Sequence, residues 1–85
     1  DIRYQIEILE LVRRLNREYG ITIIMVLHDI NQVIHYSDRI IGLKDGRVAA
    51  WGAPGEIITP ECIRELYGIS LDVTNVEGKK FVLTV

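Results

Sequence analysis

The 85-residue sequence has few of the residues that usually cross-link or rigidify a small protein: it contains one cysteine, two prolines and one tryptophan. The single thiol, Cys62, cannot form an internal disulfide, which is expected of a protein kept in a reducing compartment. The longest apolar run, Ile23–Leu27, is much shorter than the roughly 18 residues of a membrane span. The N-terminal stretch DIRYQIEILELVRR is charged and helix-like, so it is not typical of a secretory signal peptide.

The sequence also lacks an excess of charge of one sign. Its 10 Lys and Arg residues oppose 12 Asp and Glu residues, for a formal net charge of -2, and no third of the chain is basic. This balance excludes non-specific nucleic-acid binding, and 48% hydrophobic with 26% charged residues excludes disorder. The length predicts one domain with a small core. A start at Asp1 rather than Met is expected of a processed chain or a piece of a longer protein.

The N-terminal third predicts a helix followed by a buried strand. Residues 2–19 have an apolar arc opposite a charged one, Asp1 is a natural N-cap, and Gly20 is a natural stop. We expect the apolar stripe on residues 2–15 to be core. Residues 21–27, ITIIMVL, are rich in β-branched side chains without polar alternation, which is typical of a strand covered on both faces in a parallel sheet.

The remaining residues predict shorter elements. Residues 30–38 form a short helix capped by Asp29, and residues 39–51 form a hairpin around Asp45-Gly46. A turn-rich connector leads to a helix over 60–67, with Thr59 as its N-cap, and two strands follow within 69–85 around Glu77-Gly78. The predicted order is α-β-α-β-β-α-β-β, an α/β core of mostly parallel strands with flanking helices, finished by antiparallel hairpins.

His28 is the main candidate for chemistry. It lies where the predicted strand ends and a helix begins, which is where open α/β sheets place their ligand sites. A neutral imidazole there can donate a hydrogen bond to a phosphate oxygen or orient a water, and the alternative is a histidine that merely caps the strand end. The sequence contains neither G-x-x-x-x-G-K-[ST] nor G-x-G-x-x-G.

The other candidate residues have structural interpretations. Asp29 is expected to be a helix cap, His35 a solvated surface residue and Cys62 a small core residue. The pair His28-Asp29 also occurs in metal phosphohydrolases, but those place it on a helix with further ligands on other helices. Here the pair follows a strand, and no Cys/His pair has the spacing of metal ligands.

The stretch ITIIMVLHDINQVIHYSDRIIGLKDGRVAAWGAPGEIITPECIRELYGI resembles the C-terminal part of ATP-binding-cassette (ABC) ATPases. The shared pattern is an apolar strand, L-H-D, a short helix ending in Asp-Arg, a hydrophobic strand, a D-G hairpin and G-x-P-x-E-(I/V)-(I/L)-T-P. The similar variant is the subunit that powers bacterial import of iron siderophores, haem or cobalamin. The resemblance covers residues 1–70, and the final hairpin is typical of the siderophore branch.

The resemblance implies roles for two residues. His28 looks like the switch (H-loop) histidine that hydrogen-bonds the γ-phosphate of ATP, and Asp1 looks like the D-loop aspartate that reaches across the ATPase dimer. The division it implies is a single partial domain over 1–85, with an H-loop region over 1–68 and a terminal hairpin over 69–85. The family's Walker A, Q-loop, signature and Walker B segments belong upstream of Asp1 and are not in these residues.

The resemblance further implies a parent that uses ATP and Mg²⁺ and works with membrane permease subunits and a second ATPase subunit. That parent would lie at the cytoplasmic face of the bacterial inner membrane. For the 85 residues alone we expect no bound cofactor, no ATP hydrolysis, and self-association through the exposed strand edge and helix face. Two alternatives stay open, a free-standing α/β interaction or regulatory module and, with less support, a metal-dependent His-Asp hydrolase.

Overall fold

The structure, a computed structural model, describes residues 1–84. Its elements are α1 (Ile2–Tyr19), α2 (Ile30–Tyr36), β1 (Ile40–Lys44), β2 (Arg47–Gly52), α3 (Pro54–Ile57), α4 (Pro60–Tyr67), β3 (Val73–Val76) and β4 (Lys79–Val82). Val85, the last residue of the predicted terminal hairpin, lies outside the described residues. Among residues 1–84, none of the helices combines the length and the apolarity needed to cross a bilayer.

The helices begin and end where their capping residues predict. The Asp1 carboxylate accepts a hydrogen bond from the Arg3 N–H, and Gly20 ends α1 in the left-handed conformation. The Thr59 hydroxyl accepts from the Cys62 N–H at 3.1 Å, and α4 runs from Pro60. These local interactions satisfy terminal backbone groups without help from distant residues, which explains why sequence alone places both helices correctly. The four-residue α3 lies within the predicted connector.

Both sheets are antiparallel hairpins closed by tight turns. Asp45 and Gly46 have φ angles of 53° and 75°, and Glu77 and Gly78 have φ angles of 52° and 80°. Positive φ at both central residues is the signature of a type I′ turn, which explains the glycine at each second position. β1 pairs with β2, with a bulge at Gly42/Leu43, and β3 pairs with β4. Both predicted hairpins are confirmed.

The core is a cluster of aliphatic side chains from most of the shorter elements. Its buried members are Ile34, Ile40, Ile58, Ile63 and Val82. Ile58, which precedes α4, and Ile63, within α4, have 1% and 0% of their surface exposed. Full burial of one such side chain contributes about 1.5–3 kcal/mol. Because Val82 belongs to this cluster, the terminal hairpin is part of the same core as α2, β1 and α4.

The predicted parallel strand over 21–27 is not formed, and that prediction is wrong for this chain. Residues 22–28 make no backbone–backbone hydrogen bond within residues 1–84, and neither of the two-stranded sheets includes them. The segment keeps the burial alternation of a strand, with Ile23 half-buried but Ile24 and Val26 90% and 85% exposed. A strand needs hydrogen bonds from a neighbour, and residues 1–84 supply no backbone partner to this segment.

The prediction that the α1 stripe is core is also wrong for this chain. Leu9 is the buried residue of α1, with 4% of its surface exposed. The apolar side chains Ile2, Tyr4, Ile6, Ile8, Leu11 and Tyr19 are exposed. Periodicity correctly predicts an amphipathic helix, but it does not tell which part of a broad apolar arc is covered. The observed architecture is a small α/β fold with antiparallel strand pairs, an uncovered helix face and an unpaired extended segment.

Candidate functional site

His28 is exposed at the junction of the 21–27 segment and α2. It borders an open depression of about 690 Å³. The end of α4 and the terminal hairpin also line this depression, with Tyr67 and Val82 among the lining residues. The imidazole is therefore accessible to a ligand from solvent. The carboxylate of the next residue, Asp29, is instead hydrogen-bonded to the backbone of α2.

The Asp29 carboxylate is the N-cap of α2. Its Oδ1 accepts hydrogen bonds from the Asn31 N–H at 2.9 Å and from the Gln32 N–H at 3.3 Å. These two bonds satisfy backbone donors that the helix itself leaves unpaired. The predicted capping role is confirmed, and it fixes the backbone that follows His28.

Asp1 lies at the N-terminus of α1, outside the depression beside His28. Its exposed carboxylate accepts from the Arg3 N–H at 2.9 Å, so the residue acts as the cap of α1. It does not line the depression beside His28, but Gln5 does, one helical turn further along α1. The Gln5 side chain accepts a hydrogen bond from the Gln32 side chain at 3.2 Å, which joins the first turns of α1 and α2.

The electrostatic character of the depression limits what it can hold. Among its described lining residues, Asp29 is the one carboxylate, and neither lysine nor arginine is present. Its neutral polar groups are the side chains of Gln5, His28, Gln32, Tyr67 and Thr84. Binding a polyphosphate requires cations or an array of N–H donors. The depression can therefore supply a directed contact from His28 to one phosphate oxygen, but not the cradle of a whole nucleotide.

Asn31 is a residue of this region that sequence reasoning missed. Its side-chain amide accepts from the Val82 N–H at 2.8 Å and donates to the Val82 carbonyl at 3.1 Å. The two residues are 51 positions apart, and no local pattern signals a contact at that separation. Asn31 joins the first turn of α2 to the last strand.

His35 is not the solvated surface residue that the sequence predicts. Its ring is half-buried, packs edge-on against Tyr36 and has Nδ1 3.3 Å from the Lys79 ammonium. Burial lowers the pKa of His35 below its ordinary value, and the positive charges of Lys79 and Arg13 lower it further, whereas Glu10 raises it. Because an ammonium group only donates, the imidazole accepts this hydrogen bond in its neutral form.

Cys62, which the sequence predicts to be a core residue, and Trp51 do not line the depression beside His28. Cys62 is half-buried, and burial together with Glu65 raises the pKa of its thiol. Trp51 is exposed and lies 5.6 Å from the Arg39 guanidinium, in cation–π contact. Within residues 1–84, no three or more His, Cys, Asp or Glu side chains are grouped closely enough to hold a metal ion.

Comparison with known proteins gives strong matches over most of the chain. The petrobactin import ATP-binding protein FpuC of Bacillus anthracis is 48% identical over 81 residues, covering 95% of this chain and 30% of that protein. The ferric enterobactin transport ATP-binding protein FepC of Escherichia coli is 49% identical over 69 residues, or 81% and 26%. The hemin import ATP-binding protein HmuV of Rhodopseudomonas palustris is 44% identical over 84 residues, or 98% and 31%. No protein-family model matches the chain.

These identities define the class of protein to which the sequence is related. The chain is homologous to the ATP-binding proteins of ABC importers, and the predicted resemblance is confirmed. It spans about 30% of the length of the curated relatives it matches, so it corresponds to a fragment of such a protein. The names of these three relatives concern petrobactin, enterobactin and hemin, respectively.

Proposed function

We propose that the chain is the C-terminal, His28-bearing part of the ATP-hydrolysing subunit of an ABC importer. The complete protein couples ATP hydrolysis to uptake of an iron siderophore, haem or cobalamin across the bacterial inner membrane. One observation carries the proposal: an exposed imidazole follows an extended apolar segment in a chain 44–49% identical to three importer ATP-binding proteins. That is the position expected of the switch histidine.

His28 acts by positioning rather than by covalent chemistry. When bound, ATP supplies the phosphoryl group, and Mg²⁺ neutralises part of its charge. The His28 imidazole donates a hydrogen bond to a γ-phosphate oxygen and helps to hold the attacking water. Asp29 does not compete for this role, because its Oδ1 is already bonded to two backbone N–H groups. The cap fixes the backbone that follows His28, while the exposed imidazole borders the depression.

The 85 residues alone neither bind ATP appreciably nor hydrolyse it. The depression beside His28 has no lysine or arginine among its described lining residues, and its one carboxylate repels phosphate. The groups that hold Mg²⁺ and the nucleotide phosphates therefore come from the rest of the complete protein. Calorimetric titration of this chain with MgATP should show no binding up to about 1 mM, which corresponds to about -4 kcal/mol. A tighter dissociation constant would contradict this part of the proposal.

In the complete protein, the 21–27 segment is a strand of a mostly parallel P-loop sheet. Its alternating exposure and its unpaired backbone fit a strand that lacks only its neighbours. Asp1 belongs to the D-loop and faces the second ATPase subunit, and its exposure is consistent with that contact. The residues over 1–68 form the H-loop region, and those over 69–85 form the terminal hairpin. The complete subunit lies against permease subunits at the cytoplasmic face of the membrane.

The isolated chain self-associates through the surface that the rest of the complete protein would cover. Exposed Ile24 and Val26 lie on an unpaired extended segment, and α1 exposes an apolar stripe beginning at Ile2. In a purified sample, a second copy of the chain is the partner available to cover both features. Light scattering should give a mass above the 9.7 kDa of one chain. A monomer at high concentration would contradict self-association.

The function is tested on the complete protein with two histidine variants. We expect H28A to lower kcat for ATP hydrolysis about 10²–10³-fold, as loss of one preorganised donor does, with little change in ATP affinity. H35A is the matched control, because His35 faces Lys79 and not the depression, and it should change kcat less than about threefold. If H28A hydrolyses ATP normally, His28 is not the γ-phosphate contact.

The gene itself separates the proposal from the interaction module. A reading frame that continues upstream of the Asp1 codon into G-x-x-x-x-G-K-[ST], a signature and an Asp-Glu pair supports the ATPase. A start codon at Asp1 would favour a free-standing interaction or regulatory module. The exposed apolar surface of α1 is the observation that favours this second function.

A further inference from the structure

The strand β4 has an outward edge that no other strand within residues 1–84 covers. Val82 lies opposite Val73 in the β3–β4 register, and the next hydrogen bond of the ladder runs from the Leu83 N–H to the Asp72 carbonyl at 2.8 Å. In this antiparallel pattern, the N–H and carbonyl of Val82 point away from β3. Both groups belong to a residue with 2% of its surface exposed, so they need partners within the protein.

The Asn31 side chain supplies both partners. Its amide accepts at 2.8 Å and donates at 3.1 Å, which reproduces the pair of bonds that one residue of a neighbouring strand would make. The backbone of Asn31 is fixed independently, because its N–H donates to the Asp29 cap at 2.9 Å. One residue therefore connects the cap that follows His28 with the last strand of the chain.

This connection shapes the depression beside His28. Val82 and Thr84 line the depression together with His28 and Asp29. The hairpin has two further polar attachments, Lys79 to His35 at 3.3 Å and Lys80 to the Ile58 carbonyl at 2.7 Å, and none of these four residues lines the depression. The Asn31 bonds differ from these because they join the first turn after His28 directly to Val82, a residue that lines the depression.

We infer that Asn31 is a positioning residue for the candidate phosphate site and that the terminal hairpin is a structural wall of that site. The inference rests on the proposed function of His28 for its catalytic meaning, but not for the geometry itself. It gives the hairpin a role beyond closing the fold, since loss of the Asn31 bonds would move the wall while leaving the His28 side chain intact.

The test uses the 85-residue chain without nucleotide, observed by NMR. N31A should raise the hydrogen-exchange rate of the Val82 amide by about tenfold, the equivalent of one net hydrogen bond. It should also shift the His28 ring resonances. N75A is the matched control, because Asn75 lies in the same hairpin, is exposed, and makes no side-chain hydrogen bond within residues 1–84. N75A should leave both readouts at the wild-type values.

Two results would overturn the inference. One is a Val82 amide that exchanges at the same rate in N31A and in wild type, and the other is an unshifted His28 ring despite faster exchange. N31D keeps an acceptor for the Val82 N–H but replaces the donor, so it should give intermediate exchange. If N31A fails to fold, nuclear Overhauser contacts between the Asn31 amide protons and Val82 in the wild-type chain decide, and their absence also overturns it.

A kinetic readout on the complete protein separates this inference from the proposed function. N31A should lower kcat for ATP hydrolysis about tenfold without changing KM, and the H28A/N31A double variant should be no slower than H28A, because both changes act on one contact. If H28A alone leaves hydrolysis intact, the proposed function fails while the NMR result still decides the structural role. If H28A is slow but N31A is normal, the positioning role fails.

Discussion

Isoleucine side chains have opposite environments in two regions of this molecule, residues 1–29 and residues 30–84. Ile58 and Ile63 are 1% and 0% exposed in the core of residues 30–84, whereas Ile24 is 90% exposed in the N-terminal part. Both regions have similar hydrophobic content, so composition does not distinguish them. The difference lies in available partners: the helices and hairpins after His28 cover each other, while α1 and the 21–27 segment present apolar surface that nothing in residues 1–84 covers.

The largest expected effect is on the free energy of unfolding. Two isoleucine-to-alanine variants, one in each region, compare the two environments directly. I63A removes a fully buried side chain and should lower the free energy of unfolding by about 2–5 kcal/mol. I24A removes an exposed one and should change it by less than about 0.5 kcal/mol. Urea denaturation followed by circular dichroism measures both. Equal losses would mean that the N-terminal segment is packed in solution.

A second prediction concerns association rather than folding. I24K places a charge on the unpaired segment, where lysine blocks edge-to-edge pairing. We expect the assembled species to dissociate toward the 9.7 kDa monomer while thermal stability stays at the wild-type value. Lys substitution at Ile41 is the control, because it adds the same charge at an exposed isoleucine of β1, a strand that has one edge paired with β2, whereas the 21–27 segment has neither edge paired within residues 1–84. Equal dissociation by I41K would show that association is non-specific.

The helix caps provide a smaller effect. T59A removes the oxygen that accepts the Cys62 N–H and should cost about 1 kcal/mol of unfolding free energy. D1A removes the corresponding cap of α1, and its effect should appear mainly as fraying of the first turn because that helix face is uncovered. Denaturation midpoints and helical circular dichroism separate the two. A larger loss of global stability in D1A than in T59A would contradict the division into two regions.

These caps also explain how much of the fold the sequence predicts. The bounds of α1 and α4, the cap at Asp29 and both I′ turns follow from residues within four positions of each other. The sequence prediction of a strand over 21–27 fails because a strand depends on a distant partner. Periodicity detects apolar residues in an extended segment but does not detect whether a neighbour is present.

The candidate site likewise has residues that the local sequence predicts and contacts between distant residues that it does not. His28 and Asp29 are found from their position between an apolar run and a helix, and the structure shows the first exposed and the second capping α2. The contact from Asn31 to Val82 spans 51 residues, and the contact from His35 to Lys79 spans 44 residues. Both depend on how the terminal hairpin packs on α2, which no local pattern encodes.

The smallest predicted effect is a pH dependence from His35. Its folded-state pKa is lowered by burial and by Lys79 and Arg13, so the unfolded chain binds this proton more readily. The stabilising contribution is present above the ordinary value of 6.5 and is lost as pH falls through the lower folded value. Thermal melts between pH 7.5 and about 5 should show falling stability, and H35Q should reduce the slope. An unchanged slope in H35Q would assign the effect to other groups.

The central claim is that the 21–27 segment and His28 belong to a strand whose neighbours lie in the rest of an importer ATP-binding protein. Hydrogen exchange of the amides over 22–26 tests it most directly, measured in the 85-residue chain and in the complete protein. We predict rapid exchange in dilute samples of the chain, where these amides have no backbone partner, and protection by several orders of magnitude in the complete protein. Rapid exchange in both would contradict the claim.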